Sequence, residues 1–473
     1  MITLGVVFEA LIGNAPEWAD QIIADVGIDS RTMIPGSMFV AIPGESVDGH
    51  DYLEDAFSNG ASFALIEHSV APDIRVIDLR PGSDQDLNLE VDVPFCLLVE
   101  NTVEALQVVA GVWRKRLNIR VIGITGSVGK STTKELTTTV LKQRFRTLKN
   151  PGNLNNEIGL PLTLWRLSEG HERAVLEMGF YLPGEIMFLC DLAEPVIGVL
   201  TNIGTVHAER AGSQDEIARG KAELVQSLPS APDGVAILNY DDELVRAMAD
   251  QTDARIFFYG LSPEADLWAD QVEGLGLDGI KFRLHYKNET IHLKVPLIGR
   301  HSVHTVLRAA AVGIIEGMSW EEIIRGLRSG QTQLRLVAVK AACGAMILDD
   351  TYNASPKSTI AGLNLLEEME GRKVAVLGDM LELGRYETQG HQKVGIRAAE
   401  VVDILVTVGQ LAEIISKAAA DAGFQKENIY SFADSAGAVK FLKQFLTEDD
   451  MVLVKGSRGM RMDKIVASLE VVL

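Results

Sequence analysis

The segment from Val121 to Thr132, which reads VIGITGSVGKST, constrains the fold of this chain more than any other stretch. Its β-branched residues predict a buried strand, and its glycines predict a turn that leads into a helix. Gly126 and Gly129 permit backbone angles that direct N–H groups at phosphate oxygens, and the N-terminus of the helix adds its dipole. Lys130 is then placed to reach the β- and γ-phosphates of a nucleotide, and the Ser131 hydroxyl to bind Mg²⁺. The segment therefore predicts a phosphate loop, residues 126–131, in an α/β sheet.

The spacing within this loop departs from the common pattern, in which four residues separate the first glycine from Gly-Lys. That glycine would stand at position 124, where the chain has Ile124. A glycine turn that only joins a strand to a helix would explain the glycines, but not a Lys-Ser pair at the start of the helix. Phosphate binding alone leaves kinases, GTPase switches and ligases open.

Length and composition predict a soluble globular protein of several domains. The chain has 473 residues, of which 47% are hydrophobic and 23% charged, and single hydrophobic cores stop growing near ~250 residues. The formal charge of -21 is spread along the chain, so we expect no nucleic-acid partner. A nucleotide ligand remains possible, because backbone N–H groups and a few cations hold a phosphate locally.

The cysteines and the N-terminal residues indicate the cellular compartment in which we expect the protein. Cys96, Cys190 and Cys343 are far apart and lack metal-binding spacing, which predicts buried thiols in a reducing environment. The first residues lack the cationic start and the cleavage site of a signal peptide, and no apolar run approaches the ~20 residues of a membrane helix. We expect a cytoplasmic protein without membrane insertion.

Three segments of different character predict three α/β domains. Residues 1–115 alternate short apolar strands with turns, which predicts a small α/β domain. In residues 116–332, β-branched strands alternate with longer helices, a pattern typical of a doubly wound parallel sheet. Within it, residues 256–296 predict short antiparallel strands. Residues 333–473 predict a second open α/β sheet, of Rossmann-like form.

Three side chains that follow the phosphate loop in sequence are candidate metal ligands. Glu177 ends a predicted strand, where a carboxylate at the carboxyl edge of a parallel sheet faces the ligand crevice. His207 follows another strand end, and Lys221 lies in a predicted helix. From the residues alone, the alternatives are a solvated carboxylate for Glu177, a surface histidine for His207 and a helix-surface charge for Lys221.

Signature segments in all three predicted domains resemble those of the Mur ligase family. They are DSR (29–31), PGSMFVAIPGESVDGHDY (35–52) and NGA (59–61), then TGSVGKST, GNLNNEIGLPL (152–162), LEMG (176–179) and TNIGTVHAERAGS, and finally LDDTYNASP (348–356), LGDMLELG (377–384) and VKGSRGMRMD (454–463). A series of signature segments in the order of the family is more specific evidence for that family than the phosphate loop alone. NNEIG and DDTYNASP favour the family member that adds a dipeptide over the member that adds the preceding diamino acid.

The resemblance implies an ATP-dependent, ADP-forming carboxylate-amine ligase. Its expected substrates are UDP-N-acetylmuramoyl-tripeptide and D-alanyl-D-alanine, joined through an acyl phosphate to give a peptidoglycan precursor, by a protein we expect to be a monomer. Another amide ligase on the same plan, of the folylpolyglutamate or cyanophycin type, and a non-catalytic nucleotide switch are the alternatives. The first segment argues against the other ligases.

The same resemblance implies roles for individual residues. Two Mg²⁺ ions are expected, the first bound by Ser131, Glu177 and the ATP phosphates, the second by Glu177, His207 and a carbamylated Lys221. With Lys130, the side chains of Glu177, His207 and Lys221 form the expected catalytic set. The expected ATP-binding residues are Thr125, Gly126, Ser127, Val128, Gly129, Lys130, Ser131, Thr132, Arg335 and Asp350. The expected substrate-binding residues are Ser30, Arg31, Asp48, Gly49, His50, Asn155, Asn156, Tyr352, Asn353 and Ser355.

Ser355 and Pro356 also predict the start of a helix, and this interpretation is compatible with substrate binding. The family usually shows G-x-H-N-x-x-N near the adenine, whereas this chain has Ser302 and Thr305 at the two asparagine positions. A hydroxyl cannot make the paired contacts of an amide, which puts adenine contacts at these positions in doubt.

Overall fold

The computed structural model describes residues 1–44, 47–68, 74–83, 92–205, 208–329 and 337–470. Residues 1–115 contain, in chain order, α1 (Leu4–Ile12), β1 (Val26–Gly27), β2 (Ser37–Val40), α2 (Leu53–Ser58), β3 (Ala61–Ile66), β4 (Arg75–Asp78), β5 (Phe95–Leu98) and α3 (Thr102–Lys115).

The middle of the chain alternates strands and helices, as its sequence predicts. Its elements are β6 (Arg120–Thr125), α4 (Lys130–Leu141), β7 (Thr147–Lys149), α5 (Gly159–Trp165), β8 (Arg173–Glu177), α6 (Glu185–Ala193), β9 (Ile197–Leu200), α7 (Ala208–Ala211), α8 (Gln214–Gln226), β10 (Val235–Asn239), α9 (Glu243–Arg246), β11 (Arg255–Gly260), β12 (Leu267–Gly274), β13 (Ile280–Tyr286), β14 (Glu289–Val295), α10 (Val303–Ile315) and α11 (Trp320–Ser329).

The C-terminal part continues the alternation. Its elements are β15 (Val337–Lys340), β16 (Met346–Asp350), α12 (Pro356–Glu367), β17 (Arg372–Gly378), α13 (Glu387–Val401), β18 (Ile404–Val408), α14 (Ala412–Asp421), β19 (Ile429–Phe432), α15 (Ser435–Phe445), β20 (Asp450–Lys455) and α16 (Asp463–Leu469). The predicted α/β class is confirmed in every part of the chain that the structure describes.

The chain forms two compact units, which are described separately. The first comprises Met1–Gly123, Phe145–Gly179 and Gly184–Ile197; the second comprises Ile124–Arg144, Phe180–Pro183 and Gly198–Leu473. The first unit contains a five-stranded sheet in the order β1-β2-β3-β5-β4, with every neighbouring pair parallel. Alternate residues of its central strands, such as Phe39, Ala64 and Cys96, share one core cluster with Leu53 of α2, as the two-residue period of a strand requires.

In the second unit, the strands of the middle region follow the order β14-β13-β12-β11-β10-β9. The expectation of antiparallel strands over residues 256–296 is correct for β12, β13 and β14, which form a meander. It is wrong for β11, which pairs parallel with both β10 and β12. The apolar run of β11 does not specify strand direction, because periodicity alone does not distinguish parallel from antiparallel pairing.

The C-terminal sheet, in the order β15-β16-β20-β17-β18-β19, is parallel except for β15. Leu348, Leu377 and Leu453 point to a core shared with α12, α13 and α14. Their neighbours, such as Ile347 and Val376, point to a core shared with α15 and α16. Helices therefore cover both faces, which explains why these strands read as continuous apolar runs.

The cysteine prediction holds at two of three positions. Cys96 and Cys190 are buried, and burial raises the pKa of Cys96 to about 12. Cys343 is exposed, because it lies in the turn between β15 and β16, so the expectation of a buried thiol is wrong there. Among the helices of the described residues, none combines the length and apolar character needed to cross a bilayer.

Candidate functional site

The phosphate loop adopts the conformation that its glycines predict. Strand β6 ends at Thr125 and α4 begins at Lys130, with Gly126 at φ 140° and Gly129 at φ 85°. A Cβ added to Gly126 would lie 1.9 Å from Oγ1 of Thr201. Only glycine combines this backbone angle with so close a neighbour. The two glycines therefore shape the loop into a cradle at the N-terminus of a helix, the geometry that suits a phosphate.

Asn202 fixes the phosphate loop through hydrogen bonds to Ser127 and Val128. Nδ2 of Asn202 donates to the carbonyl of Val128 (2.9 Å), and Oδ1 accepts from the Val128 N–H (3.2 Å). The carbonyl of Asn202 also accepts from the N–H of Ser127, at 2.9 Å. Asn202 was not among the predicted site residues, although an amide side chain immediately after a buried strand was a usable signal. The hydrogen bonds of Asn202 hold the phosphate loop in one conformation.

The helix that follows the loop carries the charged and hydroxyl groups of the site. Nζ of Lys130 donates to the carbonyl of Gly126, 2.8 Å away, so the side chain reaches back across the loop. Ser131 is 6% exposed, and Oγ1 of Thr133 donates to the carbonyl of Gly129 at 2.7 Å. The loop thus combines a cation, a hydroxyl and the N-terminus of a helix within one turn.

A cavity of about 670 Å³ opens beside the loop within the second unit. Predicted ATP-binding residues and predicted substrate-binding residues line it together: Ser127, Val128, Gly129, Thr132, Asp350, Tyr352, Asn353 and Ser355. Further lining residues, absent from the predictions, are Asn202, Asn239, Asp241, His301, Arg308 and Lys455. Its volume falls within the range of small-molecule sites, which is ~300–1,000 Å³.

Asp350 is paired inside this cavity. Nζ of Lys455 donates to Oδ2 of Asp350 (2.6 Å) and to the carbonyl of Asn353 (2.9 Å), and the Lys455 side chain is 2% exposed. Parallel pairing of β16 with β20 places Asp350 opposite Lys455. The segment that contains Lys455 was recognised in the sequence, but its lysine was given no role. The pair fixes the start of the 350–355 segment.

The other predicted residues of that segment differ in exposure. Tyr352 is 39% exposed, whereas Ser355 is 4% exposed and caps α12 through a hydrogen bond from the N–H of Ser358. The capping box and Pro356 confirm the predicted helix start. Tyr352 is thus the more accessible contact for a substrate.

The positions that replace the two asparagines of the family sequence are engaged within the protein. Oγ of Ser302 donates to the carbonyl of Ile298 at 2.7 Å, and Oγ1 of Thr305 accepts from Nη2 of Arg308 at 2.8 Å. Beside them, His304 contacts Asp241 through Nε2, at 2.8 Å. Neither hydroxyl replaces the paired contacts of an amide.

Glu177, a predicted metal ligand, lies in the first unit. It is 1% exposed at the end of β8, so the alternative of a solvated carboxylate is wrong. Nδ2 of Asn155 donates to its Oε1 at 2.9 Å, and Asn150 bonds both its backbone N–H and its carbonyl. Oδ1 of Asn156 instead accepts from the N–H of Gly159, the first residue of α5. Two predicted residues, Asn155 and Glu177, are therefore in direct contact.

Lys221, in the second unit, is 1% exposed on α8. Its Nζ lies 4.7 Å from the centre of the Phe180 ring. The alternative of a helix-surface charge is wrong. The other predicted metal ligand, His207, and the predicted ATP contact Arg335 lie outside the described residues.

The residues predicted to bind the uridine end form a hydrogen-bonded group in the first unit. Nε2 of His50 accepts from the N–H of Glu67 (2.9 Å), so its Nδ1 carries the proton and donates to Asp48 (2.6 Å). The backbone N–H of His50, and then its ring, lower the pKa of Asp48 to about 2. His68 contacts the same carboxylate at 3.2 Å. Both nitrogens of His50 are used, so hydrogen bonds account for this cluster without a metal.

The remaining uridine-end candidates differ in accessibility. Ser30 is 6% exposed and Gly49 is confined by Ile42, whose backbone nitrogen would lie 2.6 Å from an added Cβ. The Arg31 side chain is 84% exposed and pairs with Asp29 at 2.7 Å. Arg31 is thus the one of these three whose side chain is accessible to a ligand.

Comparison with known proteins covers almost the whole chain. The Mur ligase family catalytic domain matches residues 22–111, the Mur ligase middle domain residues 124–313, and the Mur ligase glutamate ligase domain residues 334–458. The UDP-N-acetylmuramoyl-tripeptide–D-alanyl-D-alanine ligase of Bacillus subtilis is 34% identical over 96% of this chain and 94% of its own length.

Solved structures agree with the sequence comparison. MurF from Acinetobacter baumannii superposes with a TM-score of 0.82 at 29% identity, over 99% of this chain and 98% of its own. MurF from Thermotoga maritima, solved in complex with ADP, gives a TM-score of 0.76 at 27% identity, over 94% and 96% of the two chains. The three matched domains follow the order of the three predicted segments. The chain belongs to the Mur ligase family.

Proposed function

We propose that this protein is the ATP-dependent ligase that joins D-alanyl-D-alanine to UDP-N-acetylmuramoyl-tripeptide. The observation that carries the proposal is a single cavity lined both by the phosphate loop and by the 350–355 segment. The relatives named for this reaction, which match over nearly their full length, give the substrates. Residues predicted to bind ATP and residues predicted to bind the peptide substrates therefore line the same cavity in the second unit.

The chain's own groups supply positioning and charge. Lys130 and the N–H groups of the loop hold the β- and γ-phosphates, while Asn202 keeps the loop in its binding shape. The tripeptide carboxylate attacks the γ-phosphorus and ADP leaves; the amine of the dipeptide then attacks the acyl phosphate, phosphate departs and the nitrogen loses a proton. Phosphoryl transfer depends mainly on such positioning and charge stabilisation.

Mg²⁺ suits the donors of the phosphate loop. Ser131 offers a hydroxyl oxygen at the second residue of α4, and oxygen ligands with phosphate oxygens are the set that Mg²⁺ takes. When bound, the ion neutralises phosphate charge that would repel the substrate carboxylate. Glu177, within the first unit, and His207, outside the described residues, stay predicted metal ligands from the family resemblance. Arg335, also outside the described residues, stays a predicted ATP contact.

We propose, as a finer point, that Lys221 is carbamylated in the working enzyme. Its burial supports this, because burial disfavours the charged form of an amine, and the neutral form is the one that reacts with carbon dioxide. The face of the Phe180 ring attracts a cation and repels an anion. The negatively charged carbamate group therefore has to turn away from the ring. Activity should fall in buffer freed of carbon dioxide and return with bicarbonate. Equal activity in both buffers would contradict the proposal.

The central test measures inorganic phosphate release by the purified protein with Mg²⁺, ATP and UDP-N-acetylmuramoyl-tripeptide. We expect rapid release only when D-alanyl-D-alanine is added, with one new amide per phosphate by mass spectrometry. L-alanyl-L-alanine is the matched control amine. Tripeptides ending in lysine and in diaminopimelate should be compared in parallel. The comparison identifies the third residue of the tripeptide that the enzyme accepts.

The same assay separates the alternatives. A folylpolyglutamate-type ligase would release phosphate with a folate and glutamate, and a nucleotide switch would hydrolyse ATP slowly without any amine. Absence of dipeptide-dependent release from folded protein would reject the proposal. We also propose a cytoplasmic location, where ATP is supplied, and cell fractionation tests it.

A further inference from the structure

Arg308 of α10 is a buried cation beside the phosphate loop. It is 4% exposed, and it lines the cavity together with Gly129. A Cβ built on Gly129 would lie 3.3 Å from Nη2 of Arg308 and 4.0 Å from its Cζ. The guanidinium therefore sits against the last residue before Lys130. An anion held by the loop would lie next to it.

Few of the Arg308 donors are satisfied within the protein. Nη2 donates to Thr305 at 2.8 Å, and Nη1 approaches the Tyr259 hydroxyl at 3.4 Å, near the limit of a hydrogen bond. Nε is buried and has no hydrogen-bond partner among the described residues. A guanidinium has five N–H donors, and buried donors left without acceptors are costly.

The charge of Arg308 is also uncompensated. No carboxylate of the described residues forms an ion pair with it. Three of the four acidic groups that line the same cavity are engaged elsewhere: Asp241 with His304, Asp242 with Lys357 and Asp350 with Lys455. The fourth, Glu243, is exposed to solvent. A buried cation without a counterion destabilises a protein, so its presence here indicates an anion supplied by a ligand.

Tyr259 shows how the guanidinium is held in place. Its hydroxyl donates to the carbonyl of Leu200 at 2.8 Å, and burial raises its pKa to about 12, so it stays protonated. The Tyr259 oxygen can therefore accept a hydrogen bond from Arg308, but it carries no negative charge that would neutralise the guanidinium. The tyrosine and Thr305 orient the arginine, and neither removes its charge.

We propose that Arg308 binds a phosphate group of the nucleotide, as a second fixed cation beside Lys130. The inference rests on the proposed function, because it takes the cavity to hold ATP. Lys130 reaches across the loop from one end of the cradle, and Arg308 lies against Gly129. Two N–H donors of a guanidinium match two phosphate oxygens. Arg308 is thus a nucleotide-binding residue.

The test compares Mg-ADP binding by wild-type protein with Arg308→Met and Arg308→Lys, by calorimetry and by the shift in unfolding midpoint. We expect Arg308→Met to bind Mg-ADP about 10- to 100-fold more weakly, and Arg308→Lys to recover part of the loss through its charge. Without ligand, Arg308→Met should unfold at the wild-type temperature or above it, since an uncompensated charge has been removed. Arg325→Met, an exposed arginine on α11, is the control.

The outcomes separate the possible explanations. Wild-type affinity for Mg-ADP in Arg308→Met would overturn the inference and leave the proposed function intact. An unliganded Arg308→Met protein that unfolds well below the wild type would assign Arg308 a structural role, and would overturn it too. Wild-type protein that binds no Mg-ADP would reject the proposed function, and the inference with it.

Discussion

Replacing Lys130 by alanine is expected to lower the rate of dipeptide-dependent phosphate release by about 10²- to 10³-fold or more. The side chain lies across the phosphate loop, where Nζ donates to the carbonyl of Gly126 at 2.8 Å. Bound phosphate offers that ammonium group a stronger, charged acceptor. Its charge then offsets the repulsion between the γ-phosphate and the attacking carboxylate. The assay of phosphate release under saturating substrates measures the effect.

Two further variants define what the lysine contributes. Lys130→Met keeps most of the side-chain length without the charge, and should lose as much activity as Lys130→Ala. Lys142→Ala removes an exposed lysine just beyond the end of α4, and should retain wild-type activity. All three proteins should unfold within a few degrees of the wild type. If Lys130→Ala kept more than a tenth of the wild-type rate, the roles assigned around the loop would be wrong.

The loop itself was predictable because its signal is local. A run of β-branched residues, two glycines and a Lys-Ser pair specify a strand, a tight turn and a helix start from adjacent positions in the chain. The same holds for the start of α12, where Ser355 and Pro356 act within one turn. Local backbone preferences therefore sufficed to place these residues. Their identification needed no knowledge of the fold.

The partners of the loop were not predictable, because they come from distant parts of the sequence. Thr201 and Asn202 reach the loop only when the ends of β6 and β9 lie side by side, as the hydrogen bond from the Thr201 N–H to the Thr125 carbonyl shows. Lys455 meets Asp350 through the pairing of β20 with β16. Periodicity predicts strands but not strand order, so such contacts require the structure.

Two helices of the first unit were also missed. The apolar start of the chain was tested only as a signal peptide, although residues Leu4–Ile12 form α1. Helix α3 begins after Asn101, whose side chain accepts from the N–H of Glu104. An asparagine followed three residues later by glutamate is a recognised helix start. That signal was present and would have predicted α3.

The second large effect is expected at Gly126. The variant Gly126→Ala should lose measurable Mg-ADP binding, and its free energy of unfolding should fall by about 3 kcal/mol or more. The backbone there is at φ 140°, which costs a residue with a Cβ about 1–3 kcal/mol. The added methyl group would also lie 1.9 Å from Oγ1 of Thr201, so the loop has to move away from β9. Calorimetry with Mg-ADP and urea unfolding measure the two losses.

The control for Gly126→Ala is Gly317→Ala. Gly317 lies just after α10 at φ 70°, and nothing lies within 4 Å of a Cβ built on it. This substitution therefore carries only the cost of the left-handed backbone angle, about 1–2 kcal/mol, and should leave Mg-ADP affinity unchanged. The difference between the two variants reports the contact with Thr201 together with the different backbone angle at Gly126. Equal destabilisation in both, with ADP binding retained by Gly126→Ala, would mean that the contact does not shape the loop. A larger loss at Gly126 would show that this packing against Thr201 holds the phosphate cradle open.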